Sequence, residues 1–387
     1  MLGALAIAGS AFAAESAATA SAPEGRAAAV AAGIAQLTGL AISPLLVLVA
    51  IGWTDFARAG GGSAAALPLH ASPWLLIPCS TVLALVLAKK MATPAIPLPI
   101  RKMLDAAEYL EAKLSALVAA GVLLPTIIGT MAASTGETSP AVQAAGLGAV
   151  LGSTIVLVPI ALIVFSSVWI TFHVVDALIV LSPFALLDVA LASARVAILA
   201  LVGLALLISP FLALVLCVPI IALSLLIAGW CVRLDLFALT VATDLLFRRG
   251  RSADPQAPLR CFLGSRGLGA PIRTMGHAEP RKGGVVFLYR PFFVLPQRSI
   301  ELEAASPVLV RGAAWCALRD DGTRRTLLSL APRYGPHHAA ICRRFAASAR
   351  DGVVRRSWNG LHNALESILG GAGASTRGDA PADARPQ

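Results

Sequence analysis

The chain has 387 residues, of which 57% are hydrophobic and only 13% are charged, and its mean hydropathy is +0.79. Soluble domains average about 45–50% apolar and about 25% charged residues, so an ordinary water-soluble fold is excluded for most of the chain. The first 247 residues carry 9 Lys or Arg and 11 Asp or Glu, a net charge of −2, whereas the remainder carries 22 and 10, a net of +12. The basic character therefore belongs to the last third.

The N-terminus carries a short apolar segment over residues 2–14 that contains an Ala-x-Ala cleavage pattern at 11–13. This pattern is typical of signal peptides, but no Lys or Arg precedes the segment. Cleavage would place the new N-terminus outside, and Lys89 and Lys90 would then face the periplasm against the positive-inside rule. We therefore predict an uncleaved, Ala-rich segment over 1–32, with cleavage as the alternative.

Residues 33–250 are predicted to form an all-α, multi-pass membrane bundle, because their apolar runs approach or exceed the roughly 20 residues that cross a bilayer. The predicted spans lie at 33–53, 73–88, 114–133, 142–172 and 174–192, with a proline-interrupted passage over 196–232. Six crossings fit this pattern, and so do four spans plus a re-entrant hairpin over 196–232. Basic residues over 89–113 and after 247 predict an inner-membrane protein with its C-terminus in the cytoplasm.

Proline is frequent in these apolar runs, and each proline removes a helical hydrogen bond. The prolines concerned are Pro44, Pro78, Pro125, Pro159, Pro183, Pro210 and Pro219. Transporters and channels use such helix breaks to build sites at mid-membrane depth. The pattern predicts proline-broken helices, although proline is also simply commoner in membrane helices than in soluble ones.

Four ionisable residues are candidates for an intramembrane polar site: His173, Asp176, Asp188 and Arg195. Charges inside a bundle are costly, so each is a functional hypothesis by default. His173 and Asp176 are three residues apart and share a helix face, as do Asp188 and Arg195, which are two turns apart. The spacing predicts a proton relay or a gated polar pocket. In the alternative, these groups lie at the cytoplasmic interface and contact water and lipid phosphate.

Two further segments carry acidic residues. Asp105, Glu108 and Glu111 recur at three-residue spacing, which predicts the solvated face of a short cytoplasmic helix, with paired acid–base carboxylates as the weaker alternative. Residues 233–251, which include Asp235 and Asp244, are predicted to form an interfacial amphipathic helix.

A family resemblance covers roughly residues 30–230. Its features are the Gly/Ala-rich helix at 32–52, Ser72-Pro73-Trp74, the basic turn from Lys89-Lys90 to Pro99, Asp105, and Ser182-Pro183 with Leu187-Asp188. This order resembles an uncharacterised bacterial membrane family, domain of unknown function 4126. The chain departs from that family's acidic residue before the turn, since residues 86–88 are apolar. The resemblance implies a compact multi-pass module and supplies no activity.

Residues 255–371 are predicted to form a small, basic, cytoplasmic α+β domain. Short aliphatic and aromatic runs predict strands at 285–289, 292–295, 308–310, 313–318 and 326–330. Asp320-Asp321-Gly322 predicts a hairpin turn, and helices are predicted after Pro336 and over 354–369. The order of elements makes a barrel like the pleckstrin-homology domain one candidate. Residues 372–387 are predicted to be disordered.

Three arginine pairs mark the candidate docking surface of this domain: Arg324-Arg325, Arg343-Arg344 and Arg355-Arg356. A domain tethered beside a bilayer favours anionic lipid head groups as the partner, because the cytoplasmic leaflet attracts basic residues. No nucleic-acid motif is present, so nucleic acid is not a predicted partner. A merely solvated basic face is the alternative. His338 and Cys342 are metal-ligand types four residues apart, but only one further ligand, His337, lies nearby, and no metal site is predicted.

The sequence contains no phosphate-binding loop, nucleophile elbow, zinc-protease motif or dinucleotide fingerprint, so neither an enzyme activity nor a cofactor is predicted. Six scattered cysteines predict free thiols rather than disulfides. The leading hypothesis is a membrane-transport or lipid-handling module with a cytoplasmic regulatory domain. The alternative is a membrane-anchored scaffold whose basic domain binds anionic lipid or a protein partner. The oligomeric state is left open.

Overall fold

The computed structural model describes residues 23–352 apart from 60–66, 93–95, 97, 136–153, 183, 248–253, 266–267, 282 and 313–314. The chain divides into two compact units, Met1–Arg249 and Gly250–Gln387, which we call the helical unit and the sheet unit. Three predicted features lie outside the described residues: the signal-like segment at 2–14, the helix over 354–369 with Arg355 and Arg356, and the tail at 372–387.

The helical unit contains seven described α-helices and one 3₁₀ turn at Leu69–Ala71. They are α1 (Pro23–Ile42), α2 (Pro44–Arg58), α3 (Pro73–Ala92), α4 (Leu98–Thr135), α5 (Thr154–Leu181), α6 (Ala185–Ile208) and α7 (Pro210–Leu246). Within the described part of the chain, α4 to α7 each contain a stretch long and apolar enough to cross a membrane, and shorter apolar stretches lie in α1 and α3. By length and composition these four helices indicate a membrane protein.

Several predicted span boundaries are wrong. The span predicted at 33–53 is two helices that meet at Ser43. The boundary predicted at residue 173 does not exist, because a polar side chain leaves the backbone hydrogen bonds of a helix intact, and α5 continues to Leu181. Residues 174–192 therefore belong to two helices rather than to one span. Residues 196–232 divide at Ser209 between α6 and α7, each long and apolar enough to cross a membrane, which favours two crossings over a re-entrant hairpin there.

Serine before proline marks where these helices start. Ser43-Pro44, Ser72-Pro73 and Ser209-Pro210 each precede or open a helix. The residue before proline is biased towards extended backbone, and proline at the first helical position lacks a donor that would be unsatisfied anyway. Four other prolines, which follow Ile, Leu or Val, lie inside continuous helices: Pro78, Pro125, Pro159 and Pro219. The prediction of broken helices is wrong for these four.

Charged residues gather where α3 ends, α4 begins, α5 ends and α6 begins. Lys89 contacts Asp105 at 2.6 Å, and Arg101 contacts Asp188 at 2.6 Å. Lys102 Nζ donates to the carbonyl of Ile179 at 2.6 Å. We call this part of the helical unit the charged end. The 38 residues of α4 measure about 57 Å, well beyond the roughly 30 Å of a hydrocarbon core, so its polar start extends past its apolar stretch.

The sheet unit contains eight described strands in one sheet of order β4-β3-β2-β1-β7-β6-β5-β8. The strands are β1 (Leu259–Leu263), β2 (Met275–Arg281), β3 (Gly284–Tyr289), β4 (Arg298–Glu303), β5 (Pro307–Arg311), β6 (Cys316–Asp320), β7 (Thr326–Leu330) and β8 (Ser348–Asp351). All pairs are antiparallel except β5 with β8. The short helix α8 (His338–Arg344) precedes β8.

One hydrophobic core holds the sheet unit together. Alternate residues of β3 point into it, and it includes side chains from β1 to β7, from the 3₁₀ turn at Pro332–His337 and from α8. The coarse α+β prediction is confirmed, whereas the pleckstrin-homology-like barrel is not. Predicted strands at 285–289, 308–310 and 326–330 are confirmed. Residues 292–295 are not a strand, because 292 and 293 belong to a 3₁₀ turn, and the helix predicted after Pro336 ends at Arg344.

Candidate functional site

The four predicted intramembrane residues belong to two separate charge clusters. His173 and Asp176 lie on α5, and Asp188 and Arg195 lie on α6. Arg195 Nη1 donates to both carboxylate oxygens of Asp176, at 2.8 and 2.7 Å. Asp188 instead accepts a hydrogen bond from Arg101 Nη2 at 2.6 Å. Sharing a helix face therefore predicts the contact of His173 with Asp176 but not the partners of Asp188 and Arg195.

The first group of residues, which we call the His173 cluster, draws on α4, α5, α6 and α7. Its members are Tyr109, Lys113, Trp169, His173, Asp176, Arg195 and Asp235. The His173 side chain is only 2% exposed. Its Nδ1 lies 3.4 Å from Asp176 Oδ2, and its Nε2 lies 3.7 Å from Asp235 Oδ1. The imidazole is therefore placed between two carboxylates, one on its own helix and one on α7.

Aromatic rings hold the imidazole of His173 in place. The rings of Tyr109 and Trp169 stack against it at centroid distances of 4.7 and 5.3 Å. Nε2 is buried and makes no hydrogen bond within the described residues. The 3.7 Å from Nε2 to Asp235 exceeds a normal hydrogen-bond length, so a small side-chain movement is enough to make or break that contact.

Asp235 is held by residues of α4. The hydroxyl of Tyr109 donates to Asp235 Oδ1 at 2.5 Å and to its backbone carbonyl at 2.9 Å. Lys113 Nζ contacts Asp235 Oδ2 at 2.7 Å and lies 5.0 and 5.4 Å from the ring centroids of Tyr109 and Trp169. The separate interfacial helix predicted over 233–251 is wrong, because α7 continues unbroken to Leu246 and Asp235 packs inside the unit.

Arg195 also binds the end of α1. Its Nε and Nη2 donate to the carbonyl of Ile42 at 2.9 and 2.5 Å. Ile42 is the last residue of α1, and the helix ends there because Pro44 starts a new one, so this carbonyl belongs to the negative end of a helix dipole. One guanidinium thus joins α1, α5 and α6.

The second group, the Asp188 cluster, lies at the charged end. It comprises three cations and three carboxylates: Lys89, Arg101, Lys102, Asp105, Glu108 and Asp188. Lys89 Nζ lies 2.6 Å from both Asp105 and Glu108, and Lys102 Nζ lies 3.2 Å from Asp105 and 3.6 Å from Asp188. The formal charges therefore sum to zero within the cluster.

The Asp188 cluster corrects the prediction that Asp105 and Glu108 form a solvated face. Asp105 is 5% exposed and Glu108 is half-buried. Residues 98–135 form one continuous helix rather than a short cytoplasmic one, and α3 and α6 bring Lys89 and Asp188 to the same place. The partners of these acids are Lys89, Arg101 and Lys102, which the sequence indicates only as the charges of a loop.

Sequence reasoning also missed Tyr109, Lys113 and Trp169. A signal for them exists. Trp169, His173 and Asp176 fall at i, i+4 and i+7, one helix face, and Tyr109 and Lys113 are four residues apart on another. Aromatic residues one turn from a buried histidine are a reasonable place to look for its stacking partners.

The predicted basic surface of the sheet unit is only partly free. Arg324 and Arg325 are exposed on the turn between β6 and β7, and Arg343 is exposed at the end of α8. Arg344 is engaged within the unit, since its Nη1 donates to the carbonyls of Pro255 and Ala257 at 2.6 and 2.5 Å.

The part of the chain that the structure describes contains no site arranged for metal binding or for thiol chemistry. No group of three or more His, Cys, Asp or Glu residues there is close enough to hold a metal ion. All six cysteines are described, and all are free. Burial raises the pKa of the Cys261 thiol and, to a smaller extent, that of Cys342, which disfavours the reactive thiolate.

Comparisons with known proteins do not identify the chain: no family model, no curated protein and no solved structure matches it. The resemblance to domain of unknown function 4126 therefore stays a prediction. The candidate site rests on its own geometry.

Proposed function

We propose that this protein is a membrane transporter in which a proton moves through the His173 cluster. One observation carries the proposal, namely the buried imidazole of His173 between the carboxylates of Asp176 and Asp235. Histidine is the side chain whose ordinary pKa lies nearest to neutral pH. Ionisable groups among membrane helices are costly and mark ion pathways and proton relays.

The chemistry of the imidazole suits a relay. Neutral histidine has one N–H donor and one acceptor nitrogen, so it can donate to only one of its two carboxylate neighbours at a time. Protonation at the nitrogen facing Asp235 and release from the nitrogen facing Asp176 would pass one proton across the ring. Stacking by Tyr109 and Trp169 keeps both nitrogens aimed at the two acids.

A flux measurement tests this proposal. The purified full chain is reconstituted into liposomes that contain the pH-sensitive dye pyranine, and a pH step is applied with potassium and valinomycin to cancel the membrane potential. We expect wild-type flux above that of empty liposomes, and loss of that flux in His173→Gln. The matched control is His70→Gln, because His70 is also buried and pairs with Asp55 at 2.8 Å in the same unit.

Two results contradict the relay. One is wild-type flux no greater than that of empty liposomes, and the other is equal flux in His173→Gln and wild type. Thermal unfolding of both variants in detergent checks that a loss of flux does not come from a loss of folding.

The proposal also places the charged end in the cytoplasm of a bacterial cell, because Lys89, Arg101 and Lys102 gather there and short cytoplasmic loops collect such residues. Glu303→Cys, an exposed position in the sheet unit that follows α7, reports this orientation. A membrane-impermeant maleimide should fail to label it in intact cells and should label it after lysis.

The second candidate is a membrane-anchored scaffold that carries the basic sheet unit. It is favoured by the neutral charge balance of the Asp188 cluster, because ion pairs whose formal charges cancel suit a role in holding helices together. Under this alternative the helical unit moves no proton, and the flux measurement separates the two functions.

A further inference from the structure

The loop between β3 and β4 exposes apolar side chains. Phe292 and Val294 are 84% and 86% exposed, and Leu295 is 44% exposed. Single exposed hydrophobic residues are ordinary, but three within four positions on one loop form an apolar patch of the kind that marks an interaction site.

The backbone of this loop is strained at Phe292. Its φ is 51°, in the left-handed region, which is a genuine outlier for a bulky residue. Such conformations cost free energy and concentrate at sites that contact ligands or surfaces. This strained backbone leaves the Phe292 ring facing water rather than the core.

Basic residues flank the apolar patch on both sides. Arg290 is the first residue of the loop and Arg298 is the first residue of β4, and both are exposed. No carboxylate of the described residues forms an ion pair with either one. Other arginines of the same unit do have acidic partners: Arg281 with Glu301, Arg311 with Asp351, and Arg350 with Asp321. The patch thus combines apolar side chains with two positive charges that are not neutralised within it.

A cavity of about 570 Å³ adjoins the same loop, since Arg290 and Gln297 are among its lining residues. His277 lines it too. The guanidinium, amide and imidazole are N–H donors of the kind that bind phosphate oxygens.

A short connection tethers the sheet unit to the last apolar helix of the helical unit. Twelve residues, 247–258, separate the end of α7 at Leu246 from the start of β1 at Leu259. Fully extended, such a connection spans at most about 45 Å. Of the surfaces that suit an apolar patch with a basic rim, an anionic bilayer is the one to which the unit is already tethered.

We propose that the β3–β4 loop docks on an anionic bilayer, with Phe292, Val294 and Leu295 inserted among the lipid headgroups and Arg290 and Arg298 in contact with lipid phosphates. This docking surface differs from the arginine pairs that the sequence predicts. It does not rest on proton transport, and either proposal can fail alone.

The test uses the full chain in nanodiscs of phosphatidylcholine, with or without phosphatidylglycerol, prepared to hold one copy each. The half-buried Cys79 and Cys342 are replaced by serine, the other four cysteines being buried. The fluorophore NBD is attached at Val294→Cys. The control label is at Glu303→Cys, an exposed residue at the opposite end of β4. NBD emission and its rate of reduction by dithionite report burial in lipid.

We expect the label at 294 to be blue-shifted and protected in discs with phosphatidylglycerol, and the label at 303 to stay in water. The double variant Arg290→Gln with Arg298→Gln should lower the inserted-to-free ratio about twenty-five-fold, because each basic residue near an anionic surface contributes about fivefold. Both arginines are exposed, so unchanged thermal unfolding is expected for this variant.

Three results would overturn the proposal. The labels at 294 and 303 are equally exposed in discs with phosphatidylglycerol; or protection at 294 is the same without phosphatidylglycerol and in the double variant; or protection appears only in discs prepared with two copies. The last result would assign the loop to contact with a second chain.

Discussion

Asp320 shows at the scale of one residue how the sheet unit holds two turns together. Its Oδ1 accepts the backbone N–H of Ser306 at 3.0 Å, and its Oδ2 accepts the hydroxyl and the N–H of Thr323 at 2.7 and 2.9 Å. Chiefly because of the Thr323 hydroxyl, the pKa of Asp320 falls to about 2 from an ordinary 3.8. A carboxylate with a lowered pKa contributes stability above its unfolded pKa, and that contribution disappears as the pH falls through the folded value.

Acid should therefore loosen these two turns. We expect hydrogen-exchange protection of the amides of Ser306 and Thr323, corrected for intrinsic exchange rates, to decline between pH 3.8 and about 2. Asp320→Asn should show weak protection across the whole range. Asp321→Asn is the matched control, since Asp321 is exposed and pairs with Arg350 at the surface. A wild-type profile that is flat with pH would refute this role of Asp320.

Gly52 shows how a missing side chain permits close packing in the helical unit. A Cβ at this position would lie 2.3 Å from the carbonyl oxygen of His70 and 2.3 Å from Leu76 Cδ2. At Gly121, in α4, a Cβ would meet no atom within 4 Å. Both glycines lie in helices, but only Gly121 has free space around its Cβ position.

Alanine substitution should therefore change the free energy of unfolding differently at the two glycines. Gly52→Ala should lower the free energy of unfolding by about 1–3 kcal/mol through overpacking. Gly121→Ala should be neutral or raise it by up to about 1 kcal/mol, because alanine has the higher helix propensity. Unfolding in mixed detergent micelles measures both, and an equal effect of the two substitutions would show that the close approach at Gly52 does not matter.

At the scale of elements, Arg195 fastens three helices through its bonds to Asp176 and to the carbonyl of Ile42. Removing one member of a buried ion pair typically costs about 3–5 kcal/mol, since the other charge is left without a partner. We expect Arg195→Gln and Asp176→Asn each to destabilise the helical unit strongly, and the double variant to cost clearly less than their sum.

The matched comparison is the exposed pair of Arg350 with Asp321, at 3.2 Å. The cycle Arg350→Gln with Asp321→Asn should give a coupling of under about 1 kcal/mol. Unfolding of the full chain in detergent measures both cycles. A coupling at Arg195 no larger than that at Arg350 would contradict a fastening role.

Some strands and helix starts can be predicted from the sequence, whereas other elements cannot. The strands at 285–289 and 326–330 follow from composition, because short runs rich in aliphatic, aromatic and β-branched residues suit strands. The 3₁₀ turn at Pro291–Phe293 does not, because the strained φ of Phe292 overrides the preference of aromatic residues for strands. A rule that considers the serine before each proline predicts the helix starts at Pro44 and Pro210. The number of prolines alone does not tell which of them start a helix.

For the whole molecule, the charge clusters are where prediction from sequence falls shortest. The pairs of His173 with Asp176 and of Lys102 with Asp105 are local, so helical spacing suffices. Asp235 meets Tyr109 across 126 positions, and Arg195 meets Ile42 across 153. Such contacts depend on how helices pack, which one sequence does not specify. The division into two units of unlike composition, by contrast, is visible in the charges alone.

The bond between Arg195 and Asp176 also bears on how the chain enters a membrane as it is made. An arginine at the centre of a lone helix opposes insertion by about 2.5–3.5 kcal/mol. Here its counter-charge lies on the preceding helix, and only residues 182–184 separate α5 from α6. Asp176 is therefore synthesised before Arg195 and is close enough to neutralise it, so α5 and α6 form a self-compensating hairpin for biogenesis.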